Sequence, residues 1–358
     1  MARGKGHQSI VAFKGGGSTW GAAVECAALS GFYAEKWKAA GGPVVVADKS
    51  ITGSYVDRIS TVVAKRATMM FEGPLAYSGF ERPVGNFFGG AGGTPATVDT
   101  SAYQHVFKFA DRDAKFGTFA YESVKDTVVT ENPSAQFTKL KLSGKSEDVF
   151  RISMEGLGDD VKIDSSVNTT TTIDTVTVPP GGTYKVPFAQ ASFLLNNQTA
   201  GTLASAPVYV SGIDLDLDNP LAPNVTTERG DKSSVFSRTE NASGKLSIQF
   251  SVAANGTGGN IALLTDRLAG TPEKAKIILT SSVHLAGAAT QYFQHVIWLP
   301  NLRALEGDVL PVESAGVISW SQDYEIASIS TTPTAFTSGY SDGVVWEMFS
   351  QLATDALA

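Results

Sequence analysis

The residues with the most chemical potential are three aspartates at a spacing of two, Asp214-Leu215-Asp216-Leu217-Asp218. Carboxylates at the first, third and fifth positions open a calcium loop, which also needs Gly sixth and a bidentate Glu twelfth. Asn219 and Val225 stand there instead, and the leucines between would bury half the loop. The same spacing suits a strand, with Leu215 and Leu217 on one face and the three carboxylates on the other. The run Ser143-Gly144-Lys145-Ser146 resembles the end of a phosphate-binding loop, but Lys139 occupies the place of the earlier Gly. It lies between two strand patterns, so no helix N-terminus would face an anion there.

The four histidines, His7, His105, His284 and His295, have no metal-ligand spacing, and no G-x-S-x-G pattern is present. The glycine runs at 15–17 and 89–93 sit outside any strand-turn-helix context and read as turns. Asp159-Asp160 reads as a solvated turn, and Lys65-Arg66, the tight basic pair, as an interface or rim. The expectation is a protein with no catalytic, metal or cofactor residues, and not an enzyme.

Composition agrees with a structural role. Charged residues make up 18% of the 358 positions, below the usual quarter, while hydrophobic residues reach 42% and suffice for real cores. The net charge of −7 disfavours a protein that grips nucleic acid. The charge is uneven: residues 1–186 hold 20 Lys and Arg against 19 Asp and Glu, and residues 187–358 hold 8 against 16. The single cysteine, Cys26, rules out an intramolecular disulfide and reads as a small buried hydrophobe. Without a secretory or membrane-spanning pattern, the sequons at Asn168, Asn197, Asn224, Asn241 and Asn255 carry no meaning. The expectation is a soluble protein made in a reducing cytoplasm, with no membrane association.

The elements that must position these residues are mostly strands. Alternating patterns occur at 105–110, 136–144, 148–156, 208–218, 245–253, 275–282 and 293–300, separated by Gly, Asn, Asp and Pro turns. Helices are expected at Phe80–Phe88, at Asn260–Leu268 and over the C-terminal GVVWEMFSQLATDAL, where Trp346, Phe349 and Leu352 would dock. Residues 165–185, with a Thr run, a double Pro and a double Gly, read as an exposed connector or extended hairpin arm. A weak repeat with a period near 170 residues runs through the chain: strand, short helix, strand and closing strand pair recur in each half. The expected division is 1–164 and 186–358, joined by 165–185.

Ser18-Thr19-Trp20-Gly21-Ala22-Ala23-Val24 resembles the opening of phage tail tube (major tail) proteins of long non-contractile tails. The segments FEGPLAYSGFERPVGNFFGG (71–90), YQHVFKFADR (103–112) and VPFAQASFLLN (186–196) before SGIDLDLDN are similar to that family in style and order. The Thr-rich connector and the acidic strand depart from the pattern. The resemblance implies an all-β chain with two tandem sandwich or barrel domains, each with a flanking helix. It further implies subunits that join edge to edge into stacked rings forming a hollow virion tail tube, assembled in the host cytoplasm. With two such domains per chain, three chains would make a pseudo-sixfold ring, with six chains as the alternative.

Under this reading DNA passes through without specific binding, and Asp214, Asp216 and Asp218 are candidates for the lumen lining. Val44, Val45, Asp48, Lys49, Thr170, Thr172 and Thr175 are candidates for contacts between rings. Tape measure and tail-end or terminator proteins would be further partners. Rival readings are another tail or capsid-decoration protein, a sandwich-type adhesin, and a β-rich hydrolase.

Overall fold

Period-two alternation, with β-branched and aromatic residues on one face, drives most of this chain into antiparallel strands. A computed structural model describes residues 9–357 except 18, 47–60, 91–92, 111–114, 125–127, 204–207, 225–234, 239–240, 254–268, 289, 306–311 and 315–316. The first part contains β1 (Ser9–Gly17), β2 (Gly31–Ala34), β3 (Lys36–Val46), β4 (Thr61–Pro74), α1 (Glu81–Phe88), β5 (Gly89–Gly90), β6 (Ala96–Asp99), β7 (Ala102–Phe109), β8 (Phe116–Val124), β9 (Val128–Lys145), β10 (Arg151–Gly158) and β11 (Lys162–Ile163). After α2 (Thr170–Asp174) come β12 (Ala191–Asn197), β13 (Val210–Asp218), β14 (Leu221–Asn224), β15 (Val235–Arg238), β16 (Ser243–Ala253), β17 (Glu273–His284), β18 (Tyr292–Ala304), β19 (Val312–Ser314), β20 (Val317–Ile326) and β21 (Val345–Ser350). The fold is all-β, as expected.

A central sheet runs β3-β4-β10-β9-β13-β16-β20, every neighbour antiparallel. Its last strand also pairs with β19 and with the end of β18. A second layer runs β12-β17-β18-β21-β7. The core lies between these layers: Phe71, Leu140, Leu142, Ile152, Leu215, Leu217, Leu246 and Tyr324 of the central sheet join Ile277, Leu279, Ile297 and Trp346 in one buried cluster.

Two long strands connect the layers. The first part of β9 pairs with β8 and β11, and its second part with β10 and β13, the turn between sheets falling near Ser134, whose φ is 53°. In the same way β18 starts against β17 and β21 and ends against β20. A strand that bends from one sheet into another makes the corner of a sandwich and fixes the angle between its layers.

Buried polar contacts join the two halves. The Glu347 carboxylate accepts from Gln104 Nε2 at 2.8 Å, Trp298 Nε1 at 2.9 Å and the Tyr340 hydroxyl at 2.5 Å. His295 Nε2–H donates to the Ala76 carbonyl at 3.0 Å, and its Nδ1 accepts from Trp346 Nε1–H at 3.3 Å. Both ring nitrogens are thus engaged by the neutral tautomer, and burial pushes the His295 pKa from 6.5 down to about 4.

The helix expected at 80–88 forms as α1. The one expected at 260–268 lies outside the described residues. The C-terminal helix does not form: Val345–Ser350 is a strand between β18 and β7, and the residues after it are irregular. The 165–185 segment is not an extended arm. Thr169 caps α2 with a reciprocal capping box to Thr172, and Ile173 and Val176 are buried beside Cys26 and Val129. Cys26 is itself fully buried, and burial raises its thiol pKa to about 12.

Candidate functional site

The central sheet buries one face and leaves the other open to solvent. Alternation puts Asp214, Asp216 and Asp218 on the open face, while Ile213, Leu215 and Leu217 are buried. Neighbouring strands contribute Lys139, Lys141 and Lys145 from β9, Glu155 from β10, Lys245 from β16, and Asp323 and Glu325 from β20. A shallow trough of about 720 Å³ crosses this face, lined by Lys139, Lys141, Glu155, Asp216, Lys245 and Glu325 among others.

Register sets which charges meet. One row runs Lys36, Glu72, Ser153, Lys141, Asp216, Lys245, Glu325 and Arg303, each residue directly opposite the next on the neighbouring strand. Apart from Ser153, the sign alternates along the whole row. A second row places Lys139 between Glu155 and Asp218. Directly opposed side chains stand about 5 Å apart at Cβ, so opposite charges attract while staying hydrated.

Some of these contacts close into ion pairs. Lys36 Nζ lies 2.8 Å from Glu72, and Lys141 Nζ lies 3.9 Å from Asp214. Arg151 bridges Glu35 and Glu72. The Lys36 hydrogen bond holds the Glu72 carboxyl below its ordinary range, and the Glu35 hydrogen bond raises the Arg151 pKa. The acidic strand read from the sequence is therefore one line of a mixed-charge surface. The lysines opposite it come from β9, about 70 positions earlier in the chain, and from β16, about 30 later, so local sequence gives no sign of them.

The sheet's ends form the second part of the site. Among the described residues β3 pairs only with β4, and beyond Ala67 the two strands pair with each other alone. The Ala39 N–H points away from β4, donating to the Tyr121 hydroxyl at 3.3 Å. By the two-residue period Gly41 presents its N–H on the same side, and Pro43, which has none, follows it there, as Pro does on edge strands. Val44 and Val45 sit on this projecting part of β3, their side chains outside the described residues, as are those of Lys65 and Arg66. Asp48 and Lys49 fall wholly outside the described residues. Thr170 and Thr172 lie on α2 and Thr175 caps its C-terminal end, far along the chain from the β3–β4 hairpin.

The described part of the Ser18–Val24 opening, from Thr19 to Val24, serves as a brace. Trp20 Nε1 donates to Asp159 at 3.0 Å, the Gly21 amide to Ser134 Oγ at 2.8 Å, and the Val24 amide to Thr118 Oγ1 at 2.7 Å. It thereby clamps the bend of β9. Gly21 takes a φ of 77°, where a Cβ would be strained.

No curated protein matches the chain. The family model for phage tail tube protein matches residues 18–336, which takes in the brace, both long corner strands and all but one strand of the two layers. A match over most of the length, on an all-β fold built around one continuous sheet, shows that the chain belongs to the phage tail tube protein family.

Proposed function

We propose that this protein closes into rings by strand pairing between copies, and that the rings stack into the hollow tail tube through which the genome leaves the virion. The observation that carries this reading is a repeated order within the central sheet. The strands β3-β4-β10-β9 are followed by β13-β16-β20 and the β18–β19 edge, each long corner strand holding the same place. This repetition supports two tube-like units, 1–164 and 186–358, with 165–185 between them.

Inside the chain, the outer edge of β9 is taken by β13, the first strand of the next unit. The equivalent edge at β18–β19 would take β3 of a neighbouring copy. Three chains would then complete a pseudo-sixfold ring in which every edge is paired, removing the aggregation hazard of open strands. The open face, with Asp214, Asp216 and Asp218, would line the lumen. The projecting end of β3 with Val44 and Val45, the residues Asp48 and Lys49 that follow it in sequence, and the α2 segment with Thr170, Thr172 and Thr175 would reach adjacent rings.

The role is structural and without catalysis. Assembly takes place in the host cytoplasm, with a tape measure and a terminator protein setting the tube's length. Negative-stain electron microscopy of the purified full chain tests the reading: hollow tubes or stacked rings with threefold or pseudo-sixfold symmetry are expected. Particles that stay monomeric at every concentration would overturn it.

A further inference from the structure

We propose that the open face of the central sheet is a masked phosphate-binding surface, whose lysines are kept from DNA by the carboxylates that stand opposite them. The inference rests on the reading of this face as the wall of a DNA conduit.

Lys139 and Lys141 on β9 and Lys245 on β16, with β13 between the two strands, form a basic group along the trough and would by themselves suit a polyanion. Each is flanked across the ladder. Lys141 and Lys245 stand on either side of Asp216, Lys245 also faces Glu325, and Lys139 lies between Glu155 and Asp218. Asp214 lies 3.9 Å from the Lys141 ammonium. A phosphate approaching any of these lysines meets a carboxylate about 5 Å away. Its repulsion offsets the attraction at a range well inside the Debye length of about 8 Å.

Alternation at this scale differs from a uniformly acidic wall. A passing duplex finds neither a site that holds it nor a long-range field that opposes entry. The three aspartates act as gatekeepers over the lysines, and the strand register that aligns them is what sets the balance.

The test replaces the mask without changing its shape, using Asp214→Asn/Asp216→Asn/Asp218→Asn together with Glu155→Gln/Glu325→Gln in the full chain. Binding of a short labelled duplex DNA is read by fluorescence anisotropy as salt is varied. Three uncovered lysines add about three phosphate contacts, so the variant's affinity should fall about 40-fold between about 50 and 200 mM salt, while the parent shows no such binding. Adding Lys139→Gln/Lys141→Gln/Lys245→Gln should abolish the gain. If that variant fails to fold, Asp214→Asn/Asp216→Asn, which takes both carboxylates from Lys141, should still gain about one contact in salt dependence.

A folded variant that binds DNA no better than the parent would overturn the proposal, as would a parent that already binds with the same salt slope. Tube assembly is scored separately by microscopy of the parent. A failure there would count against the conduit reading and leave the charge mask standing.

Discussion

Acidification should loosen the junction between the two halves through a single imidazole. His295 is fully buried, stacks on Tyr77 at 5.7 Å between ring centroids, and is held neutral by that burial while its Nδ1 accepts from Trp346 Nε1–H. Its folded pKa is about 4, against 6.5 for a free imidazole. Between those values the unfolded chain binds a proton that the folded chain does not, so stability rises with pH across the window. It is fully present above pH 6.5 and drains away as pH falls to 4. At 1.36 kcal/mol per decade, the displacement amounts to about 3 kcal/mol. Urea unfolding of the wild type and of His295→Gln, from neutral pH to about 4, isolates this contribution, because shared carboxylate titrations cancel in the difference. The wild type should lose about 3 kcal/mol more than the variant over that range. Parallel pH profiles would refute the assignment of a neutral, buried His295.

Further expectations concern assembly and packing. Gly41→Pro removes an outward amide of β3 while leaving its ladder with β4 intact, so the monomer should fold and ring formation should fail by sedimentation and microscopy. Tubes of normal appearance would show that β3 is not the joining edge. Thr169→Ala removes the capping box of α2 and should cost about 1 kcal/mol in denaturant unfolding. Leu215→Ala opens a cavity beneath the acidic strand and should cost about 2–5 kcal/mol, with no change in the charge of the open face.

The strands of the central sheet were legible because each alternates locally, as at 213–218, where apolar and acidic residues trade places along six positions. What lay beyond local pattern was partnership. The 136–144 signal marks only the second part of β9; its first part pairs with β8 and β11 and leads into Asn132-Pro133-Ser134, a turn-like triplet where the strand bends between sheets. The run Val344–Phe349 is apolar at every position but one, which fits a buried strand or a helix equally, and pairing with both β18 and β7 decides for the strand. The Thr-rich segment hid its capping box because Thr172, in place of the usual Glu or Gln, supplies the reciprocal bond. The carboxylate line was readable from the sequence, but its lysine counterparts were not, since cross-strand register is set by tertiary pairing.

The pairing of β7 with β21 also imposes an order in time. Gln104 and Glu347, hydrogen-bonded across that pair, are 243 residues apart in the chain. At ribosomal speeds of about 5–20 residues per second, β7 leaves the tunnel about 10–50 s before its partner exists. During that interval its edge has only the short β5 and β6 strands beside it. A nascent chain therefore holds an unfinished second layer until β21 has been translated. Closure of the second layer waits on its last strand, and products that stop short of β21 lack the partner on which β7 closes.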